Sequence, residues 1–278
     1  MLDTGIDVPE VVNLVFFKQV RSKTKFWQML GRGTRLCKNL FGPGDDKEQD
    51  KKCFYVFDFC QNLEYFSQNP PSAEGASAES LSTRLFKARL DLIGELDKRL
   101  AQGDGVAESP PAAYGGHPTL GELRSATASM LHERVAAMNV DNFIVRPHRQ
   151  AVERYVKADA WQALGADDFD TLTTRVAGLP TQVQDDDEEA KRFDMLMLRA
   201  QLSVLQARPD FMSLREKIQG IATHLEDEMA IPAIKAEATL IYAVASDEWW
   251  DGVTVPMLET VRRRLRALIK LLPKGQKK

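Results

Sequence analysis

The residues best suited to chemistry sit near the start of the chain. Gln28, Arg32 and Arg35 are spaced i, i+4 and i+7, so a helix running from Ser22 or Thr24 to about Leu36 places all three on one face. Two guanidiniums and an amide on one stripe suit a ligand with several oxygen anions, because arginine stays charged and presents a planar fork of donors. Gly31 and Gly33 lie among them and each costs a helix interior roughly 1 kcal/mol against alanine. Close backbone approach is the expected reason for both. Just upstream, Thr4-Gly5-Ile6-Asp7-Val8-Pro9 leads into an apolar, β-rich run. Lys18, Arg21, Lys23 and Lys25 stand between the two motifs with no acid among them, and are read either as a track for a nucleic-acid backbone with Phe26 or Trp27 packed beneath, or as plain surface.

The elements that must position these residues are two short strands and the helix between them. Residues 11–17 and 53–59 are apolar runs of the kind buried on both faces of a parallel sheet, and strand–helix–strand is the end of an α/β layer. Residues 67–79 lack bulky aliphatics and read as a linker. Leu81, Leu85, Leu92, Leu96 and Leu100 then give one amphipathic helix over about 80–102, and a second Pro/Gly-rich stretch covers 103–118. From residue 119 the period is helical, most clearly over 120–138, 190–206, 214–229, 232–245 and 256–272. The organisation predicted is therefore 1–66, the α/β portion; 67–118, a linker carrying one helix; and 119–278, a helical domain.

Charge is segregated although the formal net charge is only −3. Arg262, Arg263, Arg264 and Arg266 open a basic C-terminal stretch that could meet phosphate or complement acids elsewhere, and the acidic run 185–189 favours the N-terminus of the helix that follows it. Glu189-Ala190-Lys191 behind those acids lacks the strand scaffold that a nuclease site needs. Three cysteines without CxxC spacing and four scattered histidines predict neither a disulfide framework nor a metal site. That usage fits a reducing cytoplasm, and no apolar run approaches the ~20 residues of a membrane span. Trp249-Trp250 is expected to put at least one ring in the core, and the pair is also the candidate anchor for a docking surface.

TGIDVP and QMLGRGTR resemble motifs V and VI of superfamily 2 helicases and translocases, in that order and at a fitting distance. FFKQVRSKTKFWQMLGRGTRL, NLFGPGDDK and FDFCQNLEYF, together with the segments AKRFDMLMLRAQLSVL and DEWWDGVTVPMLETVRRRLRALIKLL, look more specifically like the C-terminal part of the restriction (motor) subunit of type I restriction–modification enzymes. The resemblance implies a mixed fold, a RecA-like α/β remnant followed by a mainly α-helical domain. It implies that Arg35 is an arginine finger at the γ-phosphate of ATP and Arg32 its neighbour, with Gln28 on the same face. By the same resemblance Gly5 and Asp7 lie near the nucleotide, and Thr4, with Lys18, Arg21 and Lys23, toward DNA phosphates. It implies ATP and Mg2+ as cofactors of the intact parent, double-stranded DNA as its track, and the methyltransferase and specificity subunits as partners of the helical domain. The alternative is a piece of another superfamily 2 repair or RNA helicase whose helical tail binds nucleic acid.

No GxxxxGK[ST] phosphate loop and no metal-holding acid box occurs in this sequence, and a chain opening inside a turn before a buried strand reads as a piece of a longer one. The isolated chain is expected to bind no nucleotide cofactor and to show neither ATPase nor nuclease activity; DNA-stimulated phosphate release by a clean preparation would contradict this.

Overall fold

The computed structural model describes residues 8–42, 49–63, 66, 79–103, 116–183 and 187–273. Thr4, Gly5 and Asp7, and most of both expected linkers, lie outside the described residues. The chain divides into two compact units, Met1–Ser77 and Ala78–Lys278. Among the described residues it is mostly helical, with one small parallel sheet. Among the described residues no helix is long and apolar enough to cross a membrane.

In the first unit β1 (Asn13–Phe16) pairs in parallel with β2 (Tyr55–Asp58), in the register Asn13 to Tyr55 and Phe16 to Asp58. Between them in sequence runs α1 (Lys23–Gly33), capped by Ser22, whose hydroxyl accepts from the Lys25 amide. Leu14 and Phe16 on the pleat face inward, and Phe16 meets Phe26 of α1 at 5.4 Å between ring centroids. Phe26 stacks in turn on Phe66 at 4.6 Å. The alternate face differs from the expectation of strands covered on both sides. Val15, Tyr55 and Phe57 are exposed there, with Phe17 and Phe59 stacked on each other at 4.8 Å beyond the strand ends. Among the described residues one helix supplies one covering layer, so the second apolar face stays open.

The second unit is a helical body. Its elements are α2 (Leu81–Ala101), α3 (Leu120–Ala136), α4 (Arg149–Tyr155), α5 (Ala166–Thr171), α6 (Glu188–Leu205), α7 (Phe211–Asp227), α8 (Pro232–Lys235), α9 (Ala238–Ala245) and α10 (Val255–Leu265). Capping follows the sequence closely. Thr119 and Glu122 form a reciprocal capping box at α3, and Asp187 accepts from the Ala190 amide at 2.9 Å to start α6. The 232–245 segment is two helices rather than one, because the Glu237 amide turns back to Ile234. The last segment ends as a 3-10 stretch, Arg266–Leu271.

The helix placed at about 80–102 is present but belongs to this body rather than to a linker. One side of α2 packs Phe86, Leu90 and Ile93 with Leu131 and Val135 of α3, while another packs Leu85, Leu92 and Leu96 with Leu198 and Leu202 of α6. These six apolar residues give α2 two buried sides. The helix α6 is buried on nearly its whole circumference, and that encloses polar groups with the apolar ones.

Those polar groups form one ionic network. Asp194 of α6, 1% exposed, accepts from Arg89 of α2 at 3.4 Å, Arg262 of α10 at 2.9 Å and Arg266 at 2.9 Å. Glu259 accepts from Arg262 Nε at 2.8 Å and Nη2 at 2.7 Å, from Arg263 at 2.7 Å and from the Gln201 amide at 3.1 Å. Burial lowers the Arg89 pKa to about 10 against the opposing pull of Asp194, which leaves it charged at neutral pH. For Arg262 and Glu259 burial opposes ionisation, but the hydrogen bonds and charges between them outweigh it, so the arginine pKa is raised and the carboxyl pKa lowered.

A depressed carboxyl pKa contributes stability that is complete above the ordinary glutamate value and is lost as pH falls through the folded value. Glu259→Gln is therefore expected to cost about 3–5 kcal/mol near neutral pH, since it removes the charge that faces buried Arg262. Urea unfolding should show the variant and wild type converging in stability as pH falls below the ordinary glutamate range.

Candidate functional site

The first unit gathers the segments around both sequence motifs at one edge of its sheet. The carrier is Lys51, 5% exposed, whose Nζ donates to Pro9 O at 3.0 Å while its amide donates to Cys37 O at 2.8 Å. Pro9 ends the TGIDVP motif and Cys37 lies two residues beyond Arg35. The Tyr55 amide adds a bond to Val12 O at 2.7 Å, which starts the strand pairing at the same edge.

Around this tie the expected arginine face is altered. Gln28 is exposed and Arg32 half-buried on α1, four residues apart. Arg35 is not on the helix. The helix ends at Gly33, and the Thr34 hydroxyl donates to Gly31 O at 2.8 Å in competition with the backbone ladder. Arg35 therefore reaches from the exposed segment after the helix, rather than from the i+7 position of its stripe. The glycines also divide. A Cβ at Gly33 would come within 2.2 Å of the Phe54 ring, whereas one at Gly31 would meet nothing within 4 Å. Close approach accounts for Gly33 alone.

Lys18, Arg21 and Lys23 lie at the other end of α1. The helix has 11 residues, so about 15 Å separates this group from Arg32. Lys18 and Arg21 are exposed on the loop after β1, at the carboxyl ends of the strands. That loop is held by residues the sequence reading did not single out. Asn62 accepts from the Val20 amide at 2.7 Å and donates to Lys18 O and to Asp58 at 3.0 Å each. Asp58 also accepts from the Leu63 amide at 2.7 Å. A buried Asn four residues after a strand-ending Asp is the only sequence signal for this clamp. Phe26 is core, and Trp27 remains partly exposed beside it.

In the helical body the basic run is structural. Arg262 and Arg266 face Asp194, Arg263 faces Glu259 and Arg264 pairs with Glu237. Trp250 is buried, its indole N–H donating to Val244 O at 2.9 Å, so it cannot serve as the surface anchor expected of the pair. Trp249 packs edge-on against it. Lys191 of the Glu-Ala-Lys triplet pairs with Glu188 at 2.8 Å. Among the described residues no group of three His, Cys, Asp or Glu is placed to hold a metal.

Three known proteins are similar to parts of this chain. The EcoKI endonuclease subunit of the type I restriction enzyme of Escherichia coli strain K12 is 41% identical over 58 residues, 21% of the chain and 4% of that protein. The EcoAI endonuclease subunit of a type I restriction enzyme of Escherichia coli is 28% identical over 121 residues, 41% of the chain and 14% of that protein. Cingulin of Callithrix jacchus is 30% identical over 171 residues, 58% of the chain and 13% of that protein. The chain thus spans a small part of the length of each. No family model matches, and no solved structure matches.

The division between the two glycines is directly measurable. Gly33→Ala is expected to destabilise the first unit by about 1–3 kcal/mol through overpacking against Phe54. Gly31→Ala should be neutral or stabilise α1 by about 0.5–1 kcal/mol. Hydrogen exchange of the α1 amides in the two variants separates these outcomes.

Proposed function

We propose that this chain is part of the motor subunit of a type I restriction–modification enzyme, and that its first unit supplies the arginine side of an ATP cleft in a RecA-like domain. The observation that carries the reading is the Lys51 tie, which holds the end of TGIDVP and the segment beyond QMLGRGTR at one edge of the sheet. The similarity to two endonuclease subunits of type I restriction enzymes supports it.

In this reading ATP with Mg2+ binds across from that edge in the intact parent, and Arg35 meets the γ-phosphoryl oxygens when the cleft closes. Phosphoryl transfer builds charge on those oxygens, and a guanidinium that reaches them only in the closed state couples hydrolysis to domain movement. Arg35 on the irregular segment after the helix, rather than on the helix face, suits a group that must advance during closure. Arg32 and Gln28 bind beside it, with Gly5 and Asp7 on the nucleotide. Lys18, Arg21 and Lys23, at the far end of α1, with Thr4, follow the phosphates of double-stranded DNA. The helical body docks the motor on the methyltransferase and specificity subunits, through surfaces other than the buried Trp250.

In a parent that also carries its phosphate loop, Arg35→Lys is expected to lower ATP hydrolysis by roughly 10³–10⁵-fold, the range for loss of an arginine finger. Nucleotide binding should change little, because lysine keeps the charge and loses only the fork and reach. Single-turnover hydrolysis at the wild-type rate in the lysine variant would remove Arg35 from this role.

A further inference from the structure

In the helical body the starts of α2 and α6, the last turn of α3 and the loop 177–183 meet around an open cavity of about 420 Å³. Its described lining carries two cations, Arg134 and Lys191, and the hydroxyls of Ser80, Ser82 and Thr83, with no acidic residue among them. Lys191 is buried, its side chain 9% exposed, and its Nζ spends one proton on Glu188 at 2.8 Å. Arg134 is half-buried, and its guanidinium meets no acceptor among the described residues. Burial is the main cause of the lowered Arg89 pKa, and Arg134 is among the cations that add to it, so arginines on this side of the body repel one another. A guanidinium drawn partly out of water with no carboxylate beside it is a costly arrangement that an approaching anion relieves.

The other groups around the cavity are set to donate. Ser80 and Thr83 share one hydroxyl proton at 2.9 Å, which leaves the second for a ligand, and the Ser82 hydroxyl bonds to none of the described residues. The carbonyls at the end of α3 would repel an anion, but they are occupied. The Thr181 hydroxyl donates to Arg134 O at 2.7 Å, and the Gln182 amide donates to Ala137 O at 3.0 Å. Neighbouring described acids are each engaged: Asp187 by the Ala190 amide at 2.9 Å, Glu188 by Lys191 and Glu79 by Lys87. A guanidinium fork, an ammonium and hydroxyl protons around one space match the terminal oxygens of a phosphate group.

We infer that this cavity binds a phosphate group, gripped by Arg134, with Lys191, Ser82 and the Ser80–Thr83 pair supplying further donors. The phosphate comes either from a nucleic-acid backbone or from a free phosphate compound. Both present the same oxygens, and the titration arms separate them. Nothing in this site draws on the first unit.

The test titrates inorganic pyrophosphate and a short DNA duplex into the full chain at low ionic strength, by calorimetry. Wild type should bind at least one of them saturably, and Arg134→Gln should weaken that binding roughly tenfold or more. Arg192→Gln removes an equal charge from the exposed surface beside Lys191 and should change it by less than about twofold. Duplex binding that depends on Arg134 assigns the site to a nucleic-acid backbone; pyrophosphate binding that depends on it, with duplex binding indifferent, assigns the site to a free phosphate compound. Ser82→Ala, which keeps the helix and removes one donor, should weaken binding severalfold. Absence of saturable binding by both probes, binding of both indifferent to Arg134→Gln, or equal losses in Arg134→Gln and Arg192→Gln overturns the inference. Should Arg134→Gln lose its cooperative melt, Ser82→Ala decides, and an unchanged affinity there overturns the site.

Discussion

The helical body depends on one constraint: α6 is enclosed on nearly all sides, so its polar residues must find partners inside. Asp194 cannot be buried without cations, and α2 and the end of α10 bring them. Arg262 also fixes the helix that carries it, because a planar fork bonded to both Asp194 and Glu259 tolerates little sliding. Apolar packing of α2 and α10 against α6 is non-directional, whereas the hydrogen bonds to Asp194 and Glu259 are directional. Specificity of register is the best-attested use of such buried charges.

The sheet unit solves a different problem with fewer parts. Two four-residue strands and a three-turn helix make little core, and its loops are held by polar clamps instead. Lys51 secures the edge where both strands begin, and Asp58 with Asn62 secures the edge where they end. Basic residues are thereby sorted to opposite ends of α1. One unit so arranged presents two separate cationic surfaces.

Local rules were the legible part. Ser22, Thr119 and Asp187 stand at helix starts as their side chains predict, and leucines at helical spacing gave α2 its true limits. What spacing could not reveal was partnership over distance. The arginine-rich end of the chain reads as a phosphate-seeking surface until Asp194, 68 residues away from Arg262, is found beneath it. The helix carrying α2's leucines looked isolated because the surfaces it fills are formed by residues a hundred positions later. At the site, Thr34 and Gly33 stop the helix one turn before a periodic reading would, which moves Arg35 off its stripe. Lys51 had no signal at all, since its work is done through one carbonyl and its own backbone.

The spacing of the ionic partners has a consequence for synthesis on the ribosome. Asp194 emerges well after Arg89 but 68 residues ahead of Arg262 and 72 ahead of Arg266. Until those residues leave the exit tunnel, α6 can pack on α2 only with its carboxylate under-compensated, a state that burial disfavours. The nascent body is thus held loosely open until its last helix arrives, and then closes as one cooperative step rather than helix by helix.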